Sequence, residues 1–187
     1  MRFWQRPIPW LRAEVYYAGA AWHEEALGRP HAAMFSASAA ASTAALAGAR
    51  ETEAVNLARS AGFAESTGDT RQAQPLLQRS QQIFSQLPLN RNTEDYRTFA
   101  ECEYSLGSSD AGLAGRLESA GRNSSNPFVK VTSLRTLAVL DERQDHWQRA
   151  ETRLRQAILA LLPVDSSTPL ADRLRWQMEV SATTASW

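Results

Sequence analysis

His23, His31 and His146 are the only histidines in the 187-residue chain, so metal or acid–base chemistry would have to start from them. His23-Glu24-Glu25 opens like the zinc-binding H-E-x-x-H, in which two imidazoles one turn apart share a metal and the glutamate activates water. The next histidine, His31, stands eight residues on, so the two do not share one helical turn. Gly107-Ser108-Ser109-Asp110-Ala111-Gly112 looks like a nucleophile elbow. G-x-S-x-G requires glycine at 111, where alanine stands, and no strand pattern precedes it. A helix cap accounts for the segment better. Cys102 is the single cysteine, which rules out an intramolecular disulfide and favours a reducing compartment, cytoplasm or organelle matrix. It reads as a small buried hydrophobe rather than a nucleophile. There is no phosphate loop and no dinucleotide fingerprint, so no catalytic, cofactor-binding or metal residue is assigned. An all-helical enzyme would need a pocket with shifted titration, the candidate place being His23, Glu24 and Glu25.

Charge points the same way. Twenty basic and twenty acidic residues balance, against the basic excess of a dedicated nucleic-acid binder. Arg149, Arg153 and Arg155, with Arg173 and Arg175, make the C-terminal quarter locally basic, but Glu142, Asp145, Glu151 and Asp172 intersperse them. That pattern is a solvated face laced with ion pairs, with a phosphate-binding strip as the alternative. No run of about 20 apolar residues exists to span a membrane. Asn123-Ser124-Ser125 is a glycosylation sequon, meaningful only in a secreted protein.

The elements that would position any site are all helices. Residues 1–10, with Pro7 and Pro9, read as an extended aromatic arm in which Trp4 and Trp10 pack back or dock into a partner. Residues 11–183 read as one helical domain and 184–187 as a frayed tail. Leu11 to Leu27 is a first helix with Val15, Ala18, Trp22 and Ala26 as its buried stripe. Gly28 ends it and Pro30 starts the next. His31 to Ala49 holds ten alanines, which favour helix, with Met34, Phe35 and Leu46 as packing residues. Leu57 to Pro88 reads as two antiparallel helices, reversing at Gly68 and capped by Asp69 or Thr70. Pro75 suits a first helical turn, so the second helix is expected to begin near Gln74. Helices follow from Thr93 to Gly107, Ala111 to Ala120, Pro127 to about Glu142, and Trp147 to Leu162. A last one carries Leu170, Leu174, Trp176 and Met178.

Leu57, Ala61, Ala73, Leu77 and Ser80 repeat the spacing of Leu134, Ala138, Ala150, Leu154 and Ala157. Small residues fall where two antiparallel helices would cross. This resembles the tetratricopeptide repeat, whose 34-residue unit pairs a W-x2-L-G-x2-Y helix with an A-x3-F helix. Ala61 and Ala138 stand at its glycine, Ala73 and Ala150 at its alanine, and Ala64 and Asp141 at its tyrosine. The two units lie 77 residues apart, which is not a multiple of 34. The resemblance implies an all-α fold of stacked antiparallel hairpins, a tetratricopeptide-like α-α superhelix; the alternative is an irregular helical bundle.

The resemblance further implies a groove lined by the first helix of each pair. The matching positions are Val55, Ala58, Gly62 and Glu65, then Thr132, Arg135, Val139 and Glu142. With Trp4, Trp10 and Trp176 as aromatic anchors, the expected role is a non-catalytic protein-interaction module: an adaptor, a chaperone-like binder or a small subunit of an assembly. Its partner would be another protein or a peptide, with no nucleic acid. The alternatives are an all-helical enzyme and a regulator binding nucleic acid through the C-terminal arginines.

Overall fold

The computed structural model describes residues 7–108 and 111–161, and every regular element among them is a helix. In order these are α1 (Pro7–Ala26), α2 (Pro30–Ala47), α3 (Arg50–Ser66), α4 (Thr70–Gln86), α5 (Arg91–Ser105), α6 (Ala111–Asn123), α7 (Pro127–Glu142) and α8 (Trp147–Leu161). The chain divides into two compact units at Ser109/Asp110, where the sequence suggested one domain over 11–183. Residues 1–6 with Trp4, the expected last helix with Trp176, and the tail 184–187 lie outside the described residues.

One turn chemistry recurs. Gly28, Gly48 and Gly68 take the left-handed conformation (φ 69°, 75° and 77°), twenty residues apart each time. At each, the glycine N–H donates to a carbonyl three residues back and the next residue donates five back: Gly68 to Glu65 at 2.9 Å, Asp69 to Ala64 at 2.9 Å. This pair of hydrogen bonds satisfies the last carbonyls of a helix and reverses the chain. Asp145 (φ 59°) does the same between α7 and α8, donating to Glu142 at 3.0 Å while His146 donates to Asp141 at 2.9 Å. Side-chain caps start the following helices. Asp69 accepts from the Gln72 amide at 3.1 Å, Asn90 from Thr93 at 3.0 Å, and Asn126 from Phe128 at 3.0 Å.

The N-terminal unit is organised around α3, which packs on α2, α4 and α5, and is buried nearly all round from Glu53 to Ala64. One core joins Leu57, Ala58, Ile83, Phe84 and Ala100; another joins Ala21, Ala33, Ala37 and Phe63. In the C-terminal unit α6 and α8 both pack on α7. Ala138 meets Ala150 and Leu154 there, as the repeated spacing predicts, and Ala61 and Ala73 are both buried in the first hairpin.

Several expectations are corrected. Pro7 to Trp10 are helical, not extended. A proline in the first turn gives up only an N–H that has no partner inside the helix, so α1 starts four residues early. The second helix of the first hairpin starts at Thr70 rather than near Gln74, and Pro75 lies inside it. The Asp69 cap and the Gly68 turn fix that start, and Pro75 is exposed, so the Arg71 carbonyl it deprives faces the solvent side.

The largest correction is rotational. In α1 the buried face is Glu14 and Ala21, while Val15, Trp22 and Ala26 of the expected stripe are exposed. In α2 the alanines at 33, 37, 40, 41 and 44 are buried, while Phe35 and Leu46 stand 73% and 62% exposed. Where helices approach at backbone distance only small side chains fit between them, so the large ones are turned out.

Candidate functional site

Four polar side chains from three helices meet inside the N-terminal unit. Asn56 and Arg59, three residues apart, project from one face of α3; Glu14 reaches them from α1 and Glu103 from α5. Arg59 forks onto Glu103 through Nε (2.7 Å) and Nη2 (2.8 Å), a bidentate pair with only about a tenth of either side chain exposed. Its Nη1 donates to Asn56 Oδ1 at 3.4 Å. Asn56 Nδ2 donates to Glu14 Oε1 at 2.7 Å and to the Thr52 carbonyl at 3.1 Å. The Trp22 ring covers the guanidinium at 5.4 Å from its centroid, a cation–π contact.

Burial alone would lower the proton affinity of Arg59. The charge and hydrogen bonds of Glu103, with Glu14 and Glu25, overcome it and leave the guanidinium raised above its ordinary value. Glu14 is raised above the usual carboxylate range by burial, against the lowering effects of the Asn56 hydrogen bond and the Arg59 charge. Each charge thus has a built partner. The arrangement ties α1, α3 and α5 together and holds Trp22 over them; it does not present a reactive group. A second buried carboxylate, Glu53, is held by Arg50 at 2.6 Å and Arg79 at 3.0 Å, linking α3 to α4.

The expected groove positions do not form an open surface. Ala58 is in the core and Gly62 is buried beneath α5: a Cβ at Gly62 would stand 2.9 Å from the Glu103 carbonyl oxygen, and one at Gly107 would overlap the Gly62 backbone. Helix α5 lies directly on the α3 face that was to line the groove. Val55 and Glu65 are half-buried at its edges. In α7, Thr132 is buried, while Arg135, Val139 and Glu142 are half-buried. Trp10 is exposed on α1. His23 and Glu25 are exposed on α1, and Glu24 faces Arg29 at 3.5 Å. Cys102 is buried. Among the described residues, no three metal-ligating side chains converge, and no helix is long and apolar enough to cross a membrane.

Glu14, Asn56, Arg59 and Glu103 are the residues that sequence reasoning missed. Thr52, Glu53, Asn56, Arg59 and Ser60 share one face of α3, a pattern that reads in a sequence as a solvated face; the helix is instead buried nearly all round, so that face turns inward. Comparison with protein-family models, with curated proteins and with solved structures finds no match for this chain.

Proposed function

We propose that the chain is a non-catalytic protein-interaction module, an adaptor, chaperone-like binder or small subunit of an assembly, and that it engages another protein through the outer stripe of α1. The observation that carries this reading is that stripe. Val15, Gly19 and Ala26 recur at helical spacing and are exposed, Val15 at 68%, with Tyr16 beside them at 73%; Trp22, 38% exposed with its ring over Arg59, borders the stripe. Helical spacing of apolar side chains on an outward face is what a second helix or a protein surface packs against. The tie between Arg59, Glu103, Asn56 and Glu14 supports the reading, because a rigid backing lowers the ordering cost of binding.

On this reading α3–α4 and α7–α8 are degenerate tetratricopeptide-like hairpins whose groove face has been closed by packing, leaving the outer stripe for the partner. The balanced charge fits a protein or peptide partner better than nucleic acid, and the lone buried thiol fits a reducing compartment. The test is affinity capture from native lysate, with sizing of the purified chain, using the wild type and the double variant Val15→Glu/Tyr16→Glu. Both side chains are exposed, so the variant keeps its helicity. The expected result is a stoichiometric partner retained by the wild type and lost from the variant. A clean monomer that retains nothing, or a partner held equally by both forms, refutes the proposal.

A further inference from the structure

In the C-terminal unit a cleft of about 450 Å³ lies against α6, α7 and α8, and a second of about 420 Å³ shares Arg122, Leu134 and Gln156 with it. Leu159 of α8, 66% exposed, is the large apolar side chain open in the joined clefts, while Leu134 and Leu137 of α7 lie buried at their floor. The charged residues lining them are Arg122, Lys130, Arg149, Arg153 and Glu118. All but Lys130 belong to one ionic chain. Glu118 Oε1 lies 3.1 Å from Arg122 Nη2 and 3.4 Å from Arg153 Nη2. Asp141, which is buried, has Oδ2 2.9 Å from Arg153 Nε and Oδ1 3.3 Å from Arg149 Nη2, with His146 Nδ1 at 4.0 Å. Three guanidiniums therefore share two carboxylates, and Lys130 adds a further cation. Arg122 and Arg149 each meet their carboxylate through one nitrogen and are 72% and 60% exposed. Both line the cleft with most of the side chain open to solvent, so their planar forks are accessible to a second carboxylate.

We propose that this cleft seats an acidic, partly apolar peptide segment of a partner protein, with carboxylates on Arg122 and Arg149 and an aliphatic side chain against the exposed Leu159. The site is separate from the α1 stripe and stands whether or not that stripe binds. A bare anion would leave the exposed Leu159 uncovered. A nucleic acid would meet Glu118 and would find no aromatic side chain among the lining residues to stack on. The missing negative charge and the exposed Leu159 are both met by a chain of glutamates and leucines.

The experiment is an anisotropy titration of the full chain into a fluorescein-labelled peptide of glutamate and leucine at helical spacing, beside its glutamine-for-glutamate counterpart. The glutamate probe is expected to bind at least about tenfold tighter than the glutamine probe, with the difference shrinking as salt rises. Arg122→Glu/Arg149→Glu should remove at least about tenfold of that affinity, and Arg122→Gln/Arg149→Gln a smaller share, with unchanged circular dichroism, since both arginines are exposed. Equal binding of the two probes, or no effect of either double variant, overturns the proposal. So does tighter, arginine-dependent binding of a single-stranded RNA oligomer. If Asp172→Asn/Glu179→Gln raised the affinity for the probe, the occupant would be the chain's own C-terminal segment and the partner peptide would be excluded.

Discussion

Arg59 is a guanidinium almost wholly withdrawn from water, and its partners decide whether that is tolerable. Removing one member of a buried pair leaves an uncompensated charge and costs about 3–5 kcal/mol, whereas replacing both by apolar groups of similar size is often nearly neutral. Arg59→Met should therefore lower unfolding stability by about 3–5 kcal/mol, and Arg59→Met/Glu103→Leu by much less, measured by urea denaturation. Additive losses in the double variant would mean that the fork onto Glu103 is not the interaction at stake. Glu14 gives the opposite lesson. Its folded pKa is raised, so folding binds its proton more tightly than the unfolded chain does. Its penalty is absent below the ordinary carboxylate range, grows as pH rises through the raised value, and is fully present above it. Glu14→Gln keeps an acceptor for Asn56 and should be more stable than wild type at pH 7, with the gap closing on acidification below about pH 4. A variant that is less stable at pH 7 would show that the ionised form is favoured in the folded protein. Neither residue was legible in the sequence as a partner of the other. Glu14 and Asn56 lie 42 residues apart and Arg59 and Glu103 lie 44 apart, and only the close approach of α1, α3 and α5 brings them together.

Helices were the legible level. The Ala61–Ala73 and Ala138–Ala150 spacings mark hairpins that form, and Gly68 and Asp69 mark a turn that forms with the expected cap. What those signals could not tell was which way each helix rolls. The hydrophobic stripe of α1 points at the core only if the neighbouring helices leave room for it. Alanine-rich α2 and glycine-bearing α3 pack too closely for that, so the register shifts to Glu14 and Ala21, leaving Val15 outside and Trp22 at the edge over Arg59. The same closeness predicts how glycines respond to alanine. In an exposed helix interior the exchange gains about 0.8–1.0 kcal/mol. Gly19 and Gly115 have open space where a methyl group would stand, and should show that gain. At Gly62 the new methyl would press on the Glu103 carbonyl, and at Gly107 it would overlap the Gly62 backbone. Both should instead be destabilising, by about 1–3 kcal/mol if the helices can shift apart, as thermal melts of the four single variants would reveal. A gain at Gly62 would mean that α5 does not sit on α3 as described.

At the scale of the molecule, each unit carries its own core and its own buried ionic link. Residues 1–109 hold the Leu57, Ile83 and Phe84 core with Arg59 and Glu103; residues 110–187 hold Val131, Leu134 and Leu154 with Asp141 and Arg153. The sequence shows no linker between them, because Ser108 to Asp110 reads equally well as a cap inside one domain. If the units unfold separately, a mutation in one should leave the midpoint of the other in place. Hydrogen exchange followed against urea, reading α3 and α7 amides in the same sample, tests this directly. Arg59→Met should move the α3 transition to lower urea by about 1–3 M while α7 keeps its wild-type midpoint. Asp141→Ala, which leaves Arg153, about an eighth exposed, with only the longer contact to Glu118, should do the converse. Both transitions moving together in either variant would make 11–183 one cooperative domain, as the sequence alone suggested. Separate movement would mean that the α1 stripe and the arginine cleft can each be disabled without unfolding the unit that carries the other.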